Sequence, residues 1–171
     1  MRVILETVAA LAVTASIAAP AQGQRGEYWV KAAFLYNLAK FVQWPPSADR
    51  ADRLVVGVIG NDFFSNVLDN FVRGKSVQGR EIVVRRLRTD DDLRACRIVF
   101  ISAFEAQHTA DILLRVEAVG VLTVGEAPDF LREGGHVRFH VENNAVRVQI
   151  NGAGADQAGL KINSQLLSLA R

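Results

Sequence analysis

Four short runs rich in β-branched residues set the tightest limit on this chain: LVVGVIG at 54–60, IVVRRL at 82–87, RIVFIS at 97–102 and VLTV at 121–124. The first, third and fourth of these have so few polar residues that they belong to strands covered on both faces, as in a parallel sheet with helices on either side; the second, with Arg85 and Arg86, reads simply as a strand. The intervening segments read as helices. Asn61 or Asp62 caps one over 63–71. Thr89 and Asp92 form a capping-box-like start for a second. A third, over 105–118, carries an inner stripe of Ile112, Leu113, Val116 and Val119 and stops at Gly120, whereas 74–80 reads as a loop. The alternation predicts right-handed crossovers and a three-layer α/β/α domain.

The C-terminal part changes period. Segments 136–142 and 145–151 flank Asn143-Asn144, a pair able to take the positive φ of a tight hairpin. That turn sets Val141 opposite Val146, Phe139 opposite Val148 and Val137 opposite Ile150 on an apolar face. His136, Arg138, His140 and Glu142 then face Asn151, Gln149, Arg147 and Ala145 on a polar one. The expected sheet is therefore mostly parallel and extended by a C-terminal antiparallel hairpin. A short helix over 152–158, an extended piece at 160–162 and a last helix over 165–170, capped by Ser164, complete the chain.

The longest helix candidate is the stretch 27–46, EYWVKAAFLYNLAKFVQWPP, ended by Pro45-Pro46. Val30, Phe34, Leu38, Phe41 and Val42 recur at helical spacing and predict its inner stripe. Lys31, Asn37, Lys40 and Gln43 are the more polar positions, and 47–53 reads as a linker. Tyr28, Trp29 and Tyr36 are left over as candidates for a dimer or partner interface.

Residues 1–21 read as a cleaved leader: Arg2, an apolar run over 8–19, and the small-x-small site Ala19-Pro20-Ala21. The run is too short to span a bilayer. The expectation is a periplasmic or secreted product with a single domain over 22–171. Net charge is +2 with or without that leader, which carries Arg2 and Glu6. Without a concentrated basic stripe, nucleic-acid binding is not expected. Cys96 is the single cysteine, so no disulfide can form within the chain. It reads as a small buried residue, with an intersubunit bridge or an exposed redox thiol as alternatives.

Motifs for catalysis fail on spacing. Gly74-Lys75-Ser76 lacks the phosphate-loop glycine, since Asp69 stands five positions before Gly74. Glu105, His108 and Asp111 drift around a helix, and His136 and His140 lie about 13 Å apart along a strand. Ser102, Ser65 and Cys96 lack a visible triad, and Ile101-Ser102-Ala103 is no nucleophile elbow. The expectation is no enzyme, no metal and no cofactor; a hydrolase built on Ser102 is the third choice. What remains is polar ligand surface. Glu126, Asp129 and Arg132 follow the fourth strand, where open α/β sheets bind ligands. Arg147, flanked by His140 and Gln149, offers a fork for a carboxylate or phosphate.

VKAAFLYNLAKFVQWP at 30–45, GVIGNDFF at 57–64, GREIVVRRL at 79–87, CRIVFIS at 96–102, VLTVGEAPDFLREGG at 121–135 and VRVQINGAGADQAGLKINSQLLSLAR at 146–171 together resemble the YfiR-like family of periplasmic proteins. The resemblance implies a small α/β homodimer that restrains an inner-membrane diguanylate cyclase by binding its periplasmic sensor region. Cyclic-di-GMP output and biofilm formation would then respond to envelope conditions. Small ring-bearing ligands are a further implication, as is a disulfide switch that this chain, with Cys96 alone, cannot make internally. Two functions stand: a regulatory interaction protein using the aromatic helix, and a ligand-binding sensor or carrier with Glu126, His140, Arg147 and Gln149 at its site.

Overall fold

Strand alternation sorts the apolar runs onto two sides of one sheet. Val56, Val58, Ile98, Phe100, Leu122 and Val124 point into one core, while Val55, Ile59, Val99 and Ile101 point into the other. Two-sided burial is what makes these runs continuously apolar. The computed structural model describes residues 21–46, 52–116 and 120–169. The expected leader lies outside them except for Ala21, as do most of the 47–53 linker and Val119.

The order is α1 (Ala21–Phe41), β1 (Val42–Gln43), β2 (Arg53–Ile59), α2 (Asp62–Val72), β3 (Ser76–Val77), β4 (Arg80–Leu87) and β5 (Ile98–Ile101). A 3-10 turn at Ala103–His108 leads into α3 (Thr109–Val116). There follow β6 (Leu122–Gly125), β7 (Val137–Glu142), β8 (Ala145–Ile150), α4 (Gly152–Gln157), β9 (Lys161–Ile162) and α5 (Ser164–Leu169). Seven strands form the sheet in the order β3-β4-β2-β5-β6-β7-β8. Strands β4, β2, β5, β6 and β7 run parallel, and β3 and β8 close the two ends antiparallel. Helices α1 and α2 cover one face and α3 the other, which is the expected three-layer α/β/α arrangement.

The hairpin takes the expected register, Val141 to Val146, Phe139 to Val148 and Val137 to Ile150. Asn143 and Asn144 sit at φ 49° and 60°, the left-handed values a two-residue turn needs. A train of rings runs across the α1 face: Phe64 to Phe100 at 4.4 Å, Phe100 to Phe139 at 6.4 Å, and Phe139 to Phe34 at 6.0 Å. Such pairs add about 0.5–1.5 kcal/mol each beyond their burial.

Four expectations need correction. The first helix ends at Phe41, not at the prolines, because Val42 and Gln43 pair antiparallel with Ile162 and Lys161. Trp44 donates its indole N–H to the Arg97 carbonyl at 3.1 Å. Second, residues 89–92 form turns, not a helix. The Asp91 carboxylate accepts the Arg88 amide at 2.8 Å and Asp92 accepts the Arg94 amide at 3.0 Å, local bonds that compete with a helical turn. Third, the 74–80 loop contains β3, hydrogen-bonded to β4. Fourth, the side chain capping the last helix is Asn163, whose Oδ1 accepts the Gln165 amide at 2.8 Å, and not Ser164.

Candidate functional site

The chain passes from β2 to β4 on one side and then returns to β5 on the other, so a topological switch point lies between β2 and β5. Crevices at the carboxyl edge of such points are where open α/β sheets bind ligands. In-register pairing of Ile59, Ile101 and Gly125 brings Asn61, Ser102 and Glu126 out side by side there. Gly60 makes the first exit turn at φ +81°, and a side chain on it would run into Glu105. Asn61 caps α2 by accepting the Phe64 amide at 2.9 Å, and its Nδ2 donates to the Tyr28 hydroxyl at 2.7 Å. Ser102 is buried, and its Oγ accepts the Phe104 amide at 3.2 Å.

Lys31 is central to this edge. Read as a polar outer position of α1, it is in fact buried, its ammonium held by Glu126 and Glu27. The second Glu126 oxygen accepts the Ala103 amide at 3.1 Å. Burial alone would lower the Lys31 pKa, but bonds to Glu126 and Glu27 outweigh it and leave it raised. Glu126, expected to hold a ligand, is thus committed to clamping α1 onto the sheet.

The buried stripe of α1 runs through Tyr28, Ala32, Leu35, Leu38, Ala39 and Val42, rotated from the expected one. Tyr28 therefore packs inside, its ring 5.4 Å from Phe64, and leaves the expected interface trio. Val30 is exposed, and Phe34 and Phe41 only border the core. Trp29, 52% exposed, meets Phe71 edge-on at 5.0 Å, and half-buried Tyr36 meets Phe71 at 6.1 Å. Lys75 lies 4.2 Å from the Phe71 ring centre and Lys40 5.5 Å from that of Tyr36, so cations frame this aromatic surface.

The hairpin's polar face divides differently from the expectation. Arg138 donates to the Ala127 carbonyl and to Gln149 Oε1, both at 3.0 Å, so Gln149 is partnered within the chain. Arg147 lies opposite His140 in register and 3.8 Å from Glu142. Arg138 shares a strand face with His140, whereas Glu126 reaches Lys31 on the α1 side. Glu126 and Arg147 thus stand on opposite sides of the sheet, and one small ligand cannot join them. Arg138, the most tightly bonded member of this face, escaped notice as a site residue although the register alone places it beside Gln149.

His136 was expected on the wet face and is buried instead. Its Nδ1 accepts the Thr123 amide at 3.1 Å, and its own amide donates to Thr123 Oγ1 at 3.1 Å. Burial pushes its imidazole down to about 4, so it is neutral near pH 7. Cys96 is a free, buried thiol, as its position at the foot of a strand predicts, and burial pushes it up to about 11. Glu105 and His108 pair at 2.8 Å, and among the described residues no cluster of three metal-ligating side chains is found. No described helix is long and apolar enough to cross a membrane.

No curated protein matches the sequence. Among solved structures, a conserved domain protein of Vibrio cholerae O1 biovar El Tor superposes with a TM-score of 0.60 at 11% identity. The match covers 84% of this chain and 58% of that one, so this chain spans little more than half of its relative, and the likeness is one of fold. The family model described as YfiR/HmsC-like (DUF4154) matches residues 28–171, from the buried Tyr28 through the clamp, hairpin and last helix. The chain belongs to the YfiR/HmsC-like family.

Proposed function

We propose that this protein is a periplasmic regulator that binds the sensor region of an inner-membrane diguanylate cyclase and holds the enzyme down. The leader expected over 1–21 would export it, and cyclic-di-GMP output and biofilm formation would follow its binding state. The observation that carries this reading is family membership over residues 28–171. It is supported by an aromatic surface of Trp29, Tyr36 and Phe71 that the fold leaves open between α1 and α2. Exposed tryptophan and tyrosine beside cations are the usual anchors of protein interfaces, and a second copy of the chain could use the same surface to form a homodimer.

The test is a pull-down from membranes with the exported protein, whose mass also locates the cleavage site. Trp29→Ala with Tyr36→Ala is expected to weaken capture of a membrane cyclase about 30-fold, the effect of losing roughly 2 kcal/mol, measured at a temperature where the variant, which loses two ring contacts to Phe71, is still folded. Deleting the gene should raise cellular cyclic-di-GMP; an unchanged level with every periplasmic-sensing cyclase present would sink the reading.

A second reading, a ligand-binding sensor, is favoured by the exposed Arg147 fork opposite His140, whose Nδ1 is buried without a partner among the described residues. Arg147→Ala should then abolish any melting shift given by carboxylate or phosphate compounds. An unaltered shift would return this face to ordinary wet sheet.

A further inference from the structure

On the α3 face a cleft of about 310 Å³ opens between α3, α4 and the turn that precedes β7. Leu113, Leu114 and Val116 form its apolar wall, His136 lies in its floor, and Glu133 and Gln157 line its outer part. His136 is 7% exposed. Because Nδ1 accepts from the Thr123 amide, the neutral ring carries its proton on Nε2. That N–H has no partner among the described residues, and the ring borders the cleft. Set at the edge of the cleft, that N–H is free to donate to an acceptor entering it.

The lining also says what kind of molecule fits. Among the described residues it holds no lysine or arginine, its histidine is neutral, and Glu133, their one carboxylate, stands in the outer part. An anion would therefore shed its hydration without gaining a counter-charge. The apolar wall asks for an aliphatic body. We propose that this cleft binds a small uncharged amphipathic molecule whose carbonyl oxygen accepts from His136 Nε2–H while its alkyl part lies on Leu113, Leu114 and Val116. The cleft is on the face opposite the α1–α2 aromatic surface, and the inference does not rest on the regulatory reading. Its readout is binding by the isolated protein, so either can fail alone.

N-butylacetamide titrated into 15N-labelled protein is the test, with hexanoate as a charged probe of similar length. The amide should give a saturable shift of the His136 Nε2 resonance, and hexanoate should bind about tenfold more weakly or not at all. His136→Phe removes both the donor and the reporting nitrogen, so its binding is read from the backbone amide shifts of Leu113, Leu114 and Val116, which should no longer saturate. Since His136 is buried, Leu114→Gln, at a position 68% exposed, provides a variant that keeps the fold and should weaken binding about fivefold. No saturable shift up to the solubility limit of the amide, equal affinity for hexanoate, or undiminished binding by Leu114→Gln would each overturn the proposal.

Discussion

Lys31→Ala is expected to lower the stability of the fold by about 3–5 kcal/mol, the range for removing one partner of a buried ion pair. For a domain of this size that corresponds to a drop of roughly 10 °C in melting temperature. The penalty falls mainly on Glu126. Its side chain is only 10% exposed, whereas that of Glu27 is 31% exposed and can turn to water. Glu126→Leu in the Lys31→Ala background should restore part of the loss, because the stranded charge disappears. Lysine 31 also sets an alkaline limit. Its folded pKa is raised above the ordinary 10.5, so its contribution is complete below that value and fades as pH climbs through the folded one. The difference between wild type and Lys31→Ala in urea midpoint should therefore shrink above about pH 10.5. A loss under about 1 kcal/mol in the single variant would mean that water reaches Glu126 and that the clamp is not structural.

What could be seen in the sequence follows from how local each signal is. The hairpin was legible to the residue because Asn143-Asn144 fixes the turn and the period of two fixes every facing pair. The buried strands were legible because two-sided cover leaves a continuous apolar run. Lys31 was not, since its partner Glu126 lies 95 residues away and a lysine in a helix reads as solvent-facing. The rotation of α1 was hidden for a related reason: Ala32 and Ala39 belong to the buried stripe but weigh little beside Val30 and Phe34 in a hydrophobic pattern. The acidic run at 90–92 misled because the same short carboxylates that start helices also close turns. Of the expected site residues, Trp29 was placed on the surface by its neighbours in sequence, while Glu126 and Arg147 were separated by the sheet itself.

Phe130→Ala is the second large effect expected, a loss of about 3–5 kcal/mol. The ring is wholly buried in the α3-side core beside Ile101, Ile112 and Val121. Its pocket is unusual in being walled by backbone: Gly125 and Gly135 lie so close that a methyl group on either would overlap the ring. The turn is tied around it, with the Phe130 amide donating to Ala127 at 3.1 Å and the Phe130 carbonyl accepting the Gly135 amide at 2.9 Å. Glycine walls have no side chain to relax into the space, so little of the cavity can close and the cost belongs at the upper end of that range. The spacing of the two glycines gave no hint of this, because a glycine marks a close approach without naming what approaches. Gly125→Ala alone should cost about 1–3 kcal/mol by overpacking. Combined with Phe130→Ala, its methyl enters space that the ring has vacated, and the double variant should lose less than the two singles together. Strict additivity in urea unfolding would mean that the ring does not bear on Gly125 at all.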